Sequence, residues 1–348
     1  MNYQLERFLL MTLDPVHIGT GGYRLGRVDN SIMREPGTNL PKIPGTSLSG
    51  AIRTYAAYCY ESLDCAGQGQ ASEKTDYQGH CGNGKCPICY TFGSLKVTSE
   101  NGNQQAYAGV VNLCDAHLLC FPVHSMAGPV WVSTKDRLED FGFKVEAEAP
   151  NPESCLLVNA WAGEQQALNL GWLMLNAHKN GTVGPPNGCE LDVNPAWQMV
   201  KDRLVLVSDK VFTQVVNSNL EVRTSVAIDP TTGAAQEGAL FTYEAIPRAT
   251  WLVMEVVEDD YHRDDKKPWP VDKKAVCEKR EENGKKTQTV QHNAGDSLGE
   301  TWKKPLDVVR AGLKLVEVLG VGGMGTRGFG RVRTIADWQV AIKSDRNG

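Results

Sequence analysis

The sequence predicts an α+β fold, an antiparallel sheet with a few helices packed on it and long insertions on one side. Three observations carry this. LERFLLMTLDPVHIGT, RLVLVSDKVFTQVV and WLVMEVVE are short apolar runs rich in strand-forming residues, ended by Gly, Pro or polar clusters. TSLSGAIRTYAAYCYESL and PLDVVRAGLKLVEVLG place apolar residues three and four apart, the spacing of a helix buried along one side. Between them lie Gly-rich or charged stretches too polar to bury a core of their own.

In chain order, the first strand runs into a Gly-rich loop from Gly19 to Pro44, and a helix follows, with Thr46 or Ser47 as its expected N-cap. Residues 60–92 form a polar insertion that needs a metal to hold one shape. YAGVVNLCDAHLLCFPVHSMAGPVWVST reads as strands and a turn, its two apolar stretches broken at Pro122 and Gly128. LEVRTSVAIDPTTGAAQEGALFTYEAI predicts a protruding hairpin over 220–241, turning at DPTTG. Residues 258–298 mix charges with few apolar residues and read as an exposed, flexible loop, so Lys266 to Lys286 are solvated, not a binding stripe. No internal repeat is found. A prior of about 150 residues per domain allows two domains in 348 residues; the reading adopted is one elaborated domain with these insertions.

A chain that is 41% hydrophobic can bury a sizeable core, which excludes disulfide miniproteins, collagen and wholesale disorder. No apolar run approaches the roughly 18 residues of a spanning helix, and the opening MNYQLERFLL lacks a secretory pattern, so the cytoplasm is expected and no membrane partner. With 36 Lys+Arg against 41 Asp+Glu the net charge is −5, so any nucleic acid must be held by a local basic groove or by backbone amides.

Four groups of residues are candidates for chemistry. Of ten cysteines, Cys81, Cys86 and Cys89 crowd into HCGNGKCPICYTFGS, and thiolate pairs at this spacing suit a structural zinc ion, with His80 or Cys65 as the fourth ligand. A redox CxxC is the alternative reading. Gly320, Gly322, Gly323, Gly325, Gly328 and Gly330 surround Arg327 in a loop that follows a helix, which suits backbone amides cradling a phosphate, or a tight connection packed on the sheet. His17, Asp29 and Arg34 share one Gly-spaced loop, where a carboxylate can hold a divalent cation, although Asp before Asn is also a common turn. Lys42, Ser47, Ser49 and Arg53 flank a helix N-terminus that could take an anion, or cap an ordinary helix.

In combination, HIGTGG, VDNSIMRE, PKIPGTSLSGAIR, FGS, DAHLLCFPVHSMAG, RLVLVSDKVF, GALFTYEAIP and GVGGMGTRGFGRV resemble the RAMP superfamily of CRISPR effector proteins over the chain up to about Arg333. DAHLLCFPVHS followed by GALFTYEAIP is most similar to the repeated backbone subunit of the Cmr-type (type III-B) complex, while CPICYTFGS looks more like the related Csm-type subunit. The resemblance implies a ferredoxin-like, RNA-recognition-motif-like core with a thumb hairpin. It also implies several copies stacked on a CRISPR guide RNA, other type III subunits as partners, and a paired single-stranded target RNA cut at regular intervals.

By motif position Asp29 is the expected cleaving residue, aided by Mg²⁺ or Mn²⁺, with His17 auxiliary and Tyr243 and Glu244 near the cut. Arg34, Lys42, Ser47, Ser49, Arg53, Arg223, Gly322, Gly323, Gly325 and Arg327 are the expected RNA contacts. Ser49 stands where the family usually has Lys, which removes one guide contact. Two alternatives differ in class: a non-catalytic guide-binding scaffold, and a guide-processing nuclease with a metal-independent His/Tyr site.

Overall fold

In a computed structural model the described residues are 3–21, 28–67, 80–81, 86–97, 104–159, 161, 165–261, 276–282, 285–291 and 302–341. The alternation expected of the first strand is present in β1 (Tyr3–Thr12), where Phe8 and Leu10 enter one core cluster and Leu9 another. Helix α1 (Gly45–Cys59) follows, then β2 (Val111–Ser125), the hairpin strands β3 (Glu221–Ile228) and β4 (Ala235–Ala245), β5 (Trp251–Asp259), helix α2 (Pro305–Leu319) and β6 (Val332–Val340). The strands lie side by side as β6-β1-β5-β2, every pair antiparallel, within a sheet of ten strands. The sheet continues from β2 through Gly128–Ser133, Leu204–Leu206, Ser154–Leu157, Leu173–Lys179 and Ala167–Leu170. Among the described residues no helix is long and apolar enough to cross a membrane.

Helices α1 and α2 cover one face of the sheet, burying Leu48, Ile52, Leu306, Val309 and Leu313 against Phe8, Leu10 and Met254. The other face buries Leu9, Leu119, Trp251, Val253 and Trp338 under the segment that carries Trp197. Both faces are therefore dry, and each large side chain so buried contributes on the order of 2 kcal/mol. At the helix crossing a Cβ on Gly312 would lie 2.3 Å from the Ile52 carbonyl oxygen, so only glycine lets the two backbones approach this closely.

Three expectations about local structure are corrected. Pro122 does not break β2, because β5 has already ended opposite Cys120 and Trp131, the cross-strand partner of Pro122, donates its N–H to Arg203 on its other side. No ladder bond calls for the N–H that proline lacks. Helix α1 starts at Gly45, not after Thr46 or Ser47, since Asp115 on β2 accepts the Gly45 N–H at 2.7 Å and does the work of a cap. The hairpin reaches from Glu221 to Ala245, longer than 220–241, so Tyr243 and Glu244 lie within its second strand. Its turn is set by Asp229, whose side chain accepts the Thr231 N–H at 2.8 Å.

Within the expected loop 258–298, Val276–Glu282 and Lys285–Gln291 pair as antiparallel strands, in keeping with β-branched Thr287, Thr289 and Val290; residues 262–275, 283–284 and 292–298 lie outside the described residues. The same holds for 68–79 and 82–85 of the insertion at 60–92.

One cluster around buried Glu6 joins three core elements: half-buried Arg310 of α2 bridges Glu6 of β1 and Asp337 of β6, the latter at 2.7 Å. Burial, reinforced by the Asp337 carboxyl, pushes Glu6 up to about 7 against the pull of Arg310. The folded chain therefore keeps a proton on Glu6 that the unfolded chain releases near pH 4.5, and this contribution to stability is lost as pH rises from there through 7. Melting temperatures of Glu6→Gln should fall less than wild type across that window. Gly312→Ala should destabilise the fold by about 1–3 kcal/mol, read by denaturant unfolding, because the helices must part to admit the methyl group.

Candidate active site and metal centre

The loop of Asp29 is held against the base of the hairpin. Asn30 donates its N–H to the Thr242 carbonyl and accepts the Glu244 N–H, both at 3.0 Å, and pairs in parallel with Tyr243, so the loop lies beside β4 as a short extra strand. Asp29 is exposed at its start. Its Oδ2 accepts both the backbone N–H and the hydroxyl of Thr242 at 2.8 Å, while its own N–H donates to the Thr242 hydroxyl oxygen at 2.9 Å. The Thr242 backbone N–H, and then its hydroxyl, hold the Asp29 carboxyl below its ordinary range, so it is ionised at neutral pH.

His17 ends the segment after β1 and is buried at 7% exposure. Its Nδ1 lies 2.7 Å from the Glu244 carbonyl oxygen, which can only accept, so Nδ1 carries a proton and donates it. The Tyr243 ring meets His17 edge-on at 6.1 Å, and Arg327 donates to the Tyr243 hydroxyl at 2.9 Å while lying over the ring. His17, Asp29, Tyr243 and Arg327, spread from one end of the sequence to the other, thus belong to one assembly around the end of β4.

The glycine loop is fitted to the same assembly. Gly323 donates to the His17 carbonyl at 3.0 Å, and at Gly322, with φ +87°, a Cβ would lie 2.5 Å from that oxygen. Tyr55 of α1 donates to the Gly320 carbonyl at 2.7 Å, and a groove of about 450 Å³ runs between helix and loop, lined by Ser47, Gly50, Thr54, Gly322 and Gly325. Dense packing thus accounts for Gly322, and the groove leaves room beside the loop for a ligand.

Other expected contacts lie apart from this assembly or are already paired. Arg34 forms an ion pair with Glu244 at 2.6 Å and also binds Asn217, while the second Glu244 oxygen accepts the Ile32 N–H. Their charges cancel, which makes both residues struts of the loop. Lys42 is paired with Asp115, the carboxylate that caps α1, so an acid of the protein itself takes the place expected for an anion at that helix end. Arg53 donates to the carbonyls of Cys65 and Phe92 and ties the cysteine segment to α1; Ser49 is half-buried on that helix. Arg223 pairs with Glu221 and lies over Phe329, at the edge of a cleft of about 700 Å³ that also carries Arg248, Arg331 and Arg333. Sequence reasoning passed over these last three, and over Thr242, although Arg331 and Thr242 fall within GVGGMGTRGFGRV and GALFTYEAIP, because only the fold shows what stands beside them.

The cysteines gather at the other end of α1. Cys65, Cys81, Cys86 and Cys89 bring their sulfur atoms within 4.8 Å of one another, three of the four residues buried. Pro87 opens the short helix Pro87–Phe92, whose first turn sets Cys86 and Cys89 on one side, and the turn Leu63–Cys65 after α1 supplies Cys65. Four clustered thiols are the donor set of a tetrahedral zinc site, so this group can hold a metal ion such as zinc. In their mutual hydrogen bonds the Cys65 thiol is pulled far down by the Cys81, Cys86 and Cys89 thiols, and Cys86 and Cys89 are pushed up by Cys65. His80 stands outside the sulfur cluster: its Nδ1 accepts the Leu95 N–H at 3.0 Å, and burial and then Arg53 lower its pKa.

The sequence matches the RAMP superfamily over residues 9–333, and the chain belongs to that superfamily. Its sequence is similar to the CRISPR system Cmr endoribonuclease Cmr4 of Pyrococcus furiosus, 28% identical over 258 residues that make up 69% of this chain and 77% of that protein. It is also similar to the Cms endoribonuclease Csm3 of Methanothermobacter thermautotrophicus, 36% identical over 88 residues, 25% of this chain and 31% of that protein. The fold resembles a chain of the type III-B Cmr-beta complex bound to cognate target RNA, with a TM-score of 0.56 at 14% identity, covering 95% of this chain and 96% of that one. It likewise resembles oligomeric Cmr4 from Pyrococcus furiosus, TM-score 0.52 at 18% identity, covering 97% and 99%. The resemblance to the Cmr-type subunit expected from the sequence motifs is upheld.

If the four cysteines hold zinc, metal analysis of the purified chain should find one ion per molecule, Cys65→Ser and Cys86→Ser should lose it and melt at lower temperature, and His80→Ala should keep it.

Proposed function

We propose that this chain is the backbone subunit of a type III CRISPR RNA-guided complex and that it cleaves target RNA at Asp29. In this reading the order β6-β1-β5-β2 with α1 and α2 on one face is a ferredoxin-like core, and the hairpin β3–β4 is the thumb that lies over the guide RNA. Copies of the chain stack along that RNA beside other subunits of the complex. Similarity to Cmr4 over most of both chains supports the backbone role.

The observation that carries the catalytic part is the assembly around Asp29: an exposed, ionised carboxylate fixed through one oxygen to Thr242, with His17, Tyr243 and Arg327 gathered at the same strand. No described residue hydrogen-bonds Asp29 Oδ1, which leaves that oxygen for substrate or cation. One free carboxylate oxygen fits Mg²⁺ or Mn²⁺, ions that draw further ligands from RNA phosphate and water, and such an ion supplies charge neutralisation at the phosphate when bound.

In the cleavage the ribose 2′-oxygen bonds to the adjacent phosphorus as the bond from phosphorus to the 5′-oxygen breaks, giving a 2′,3′-cyclic phosphate and a 5′-hydroxyl. The 2′-hydroxyl proton leaves and the 5′-oxygen gains one, so the reaction balances without any other reactant. Asp29 orients the 2′-hydroxyl and the phosphate, and Arg327 supplies positive charge beside Tyr243. His17 is auxiliary, its ring oriented by the Glu244 carbonyl.

The assembled complex, given a guide-complementary RNA with Mg²⁺ or Mn²⁺, should cut it at even intervals. Asp29→Ala or EDTA should slow every cut by at least about a hundredfold while the RNA stays bound. Wild-type cutting by Asp29→Ala would make the chain a scaffold, and wild-type cutting in EDTA would favour a His/Tyr site.

A further inference from the structure

Thr242 makes more contacts to Asp29 than any structural role for the loop requires. The docking of loop on hairpin is already secured by the Asn30 N–H bond to Thr242 O, the Glu244 N–H bond to Asn30 O, and the Arg34–Glu244 ion pair. None of these involves the Thr242 hydroxyl. That hydroxyl donates to Asp29 Oδ2 at 2.8 Å and accepts the Asp29 N–H at 2.9 Å, closing a small ring that fixes both the backbone and the carboxylate of one residue. The Thr242 N–H adds a second donor to the same oxygen. Both donors fall on Oδ2, so the carboxylate plane is set and Oδ1 is the oxygen turned away from the hairpin strand.

We infer that Thr242 is the positioning residue of the cut site: its hydroxyl locks the Asp29 carboxylate to the hairpin strand so that Oδ1 alone is presented to the RNA. The inference rests on Asp29 being the cleaving residue and adds that the hairpin which lies over the guide also aims the carboxylate. A carboxylate on an otherwise exposed loop would rotate among rotamers, and holding it in one of them is worth rate, not affinity.

The test uses complexes assembled from full-length Thr242→Val, Thr242→Ser and Asp29→Asn chains, with single-turnover cleavage and target-RNA affinity measured side by side. Valine keeps the shape, the strand preference and the backbone N–H, and removes only the hydroxyl. The expected result is a cleavage rate constant reduced roughly ten- to a hundredfold in Thr242→Val at unchanged RNA affinity, with Thr242→Ser recovering most of the rate. Wild-type cutting by Thr242→Val, or a matching loss of affinity, overturns the role of Thr242 while leaving Asp29 in place if Asp29→Asn is inactive. Thr242→Ser as slow as Thr242→Val also overturns it, since the hydroxyl would then not be what matters. Wild-type cutting by Asp29→Asn overturns both readings together.

Discussion

The approach of α2 to α1 at Gly312, against the backbone of Ile52, is the contact on which the rest of the molecule depends. It sets the separation of the two helices that cover the sheet, and both ends of the pair lead into candidate sites. At one end α2 runs out into the glycine loop, whose first carbonyl, Gly320, is held by Tyr55 of α1. At the other, Cys65 follows α1, Trp302 precedes α2, and the cysteine cluster is packed between them with Tyr60 stacked on Trp302 at 5.4 Å. A side chain at position 312 would shift the loop and the metal centre together, because both are referred to the same helix crossing.

From that frame the site around Asp29 is reached through two segments that flank β1 and β5. Val16 pairs with Ile246, which fixes the end of β4 beside the segment bearing His17, and Gly330 donates to Pro15, which brings the glycine loop to the same place. His17 is then clamped from both sides, its ring by the Glu244 carbonyl and its own carbonyl by Gly323. The carboxylate loop is held by β4, by the Arg34–Glu244 pair and by the segment after His17, where Met33 donates to the Ile18 carbonyl at 2.8 Å and Gly19 pairs with Ile32, while the Asp29 carboxylate itself is tied to Thr242 of β4 and so depends on the hairpin.

How much of this could be read from the sequence divides along a physical line. Strands and helices that bury apolar residues announce themselves by period, and so β1, α1, β5 and α2 were legible; cysteine spacing pointed to the cluster of Cys65, Cys81, Cys86 and Cys89 because a set of thiols is itself the signal. What escaped were features decided by a partner distant in sequence. Whether Pro122 interrupts a strand depends on where β5 ends, and the cap of α1 comes from Asp115, 70 residues on, not from the hydroxyls at its start. Arg34 and Glu244, read separately as an RNA contact and a residue near the cut, are 210 positions apart and neutralise each other. Thr242 lies within GALFTYEAIP without any chemistry to mark it there; only the strand that places it beside Asp29 gives it meaning.

The same pairing bears on how an acidic chain could hold RNA. Arg7, Arg34, Arg310, Arg331 and Arg333 each face a carboxylate within 2.8 Å, and Lys42 is paired with Asp115. A polymer that relied on these cations would have to compete with an internal carboxylate at each phosphate, and Arg34 and Glu244 are held together largely away from solvent, while phosphate attraction is itself screened by salt. Surfaces without such competition are the groove between α1 and the glycine loop, lined by backbone and small side chains, and the exposed apolar strip of the hairpin with Val222, Val226 and Leu240. Shape, backbone amides and base contact are what these surfaces offer, and they suit a guide whose sequence changes while its geometry does not.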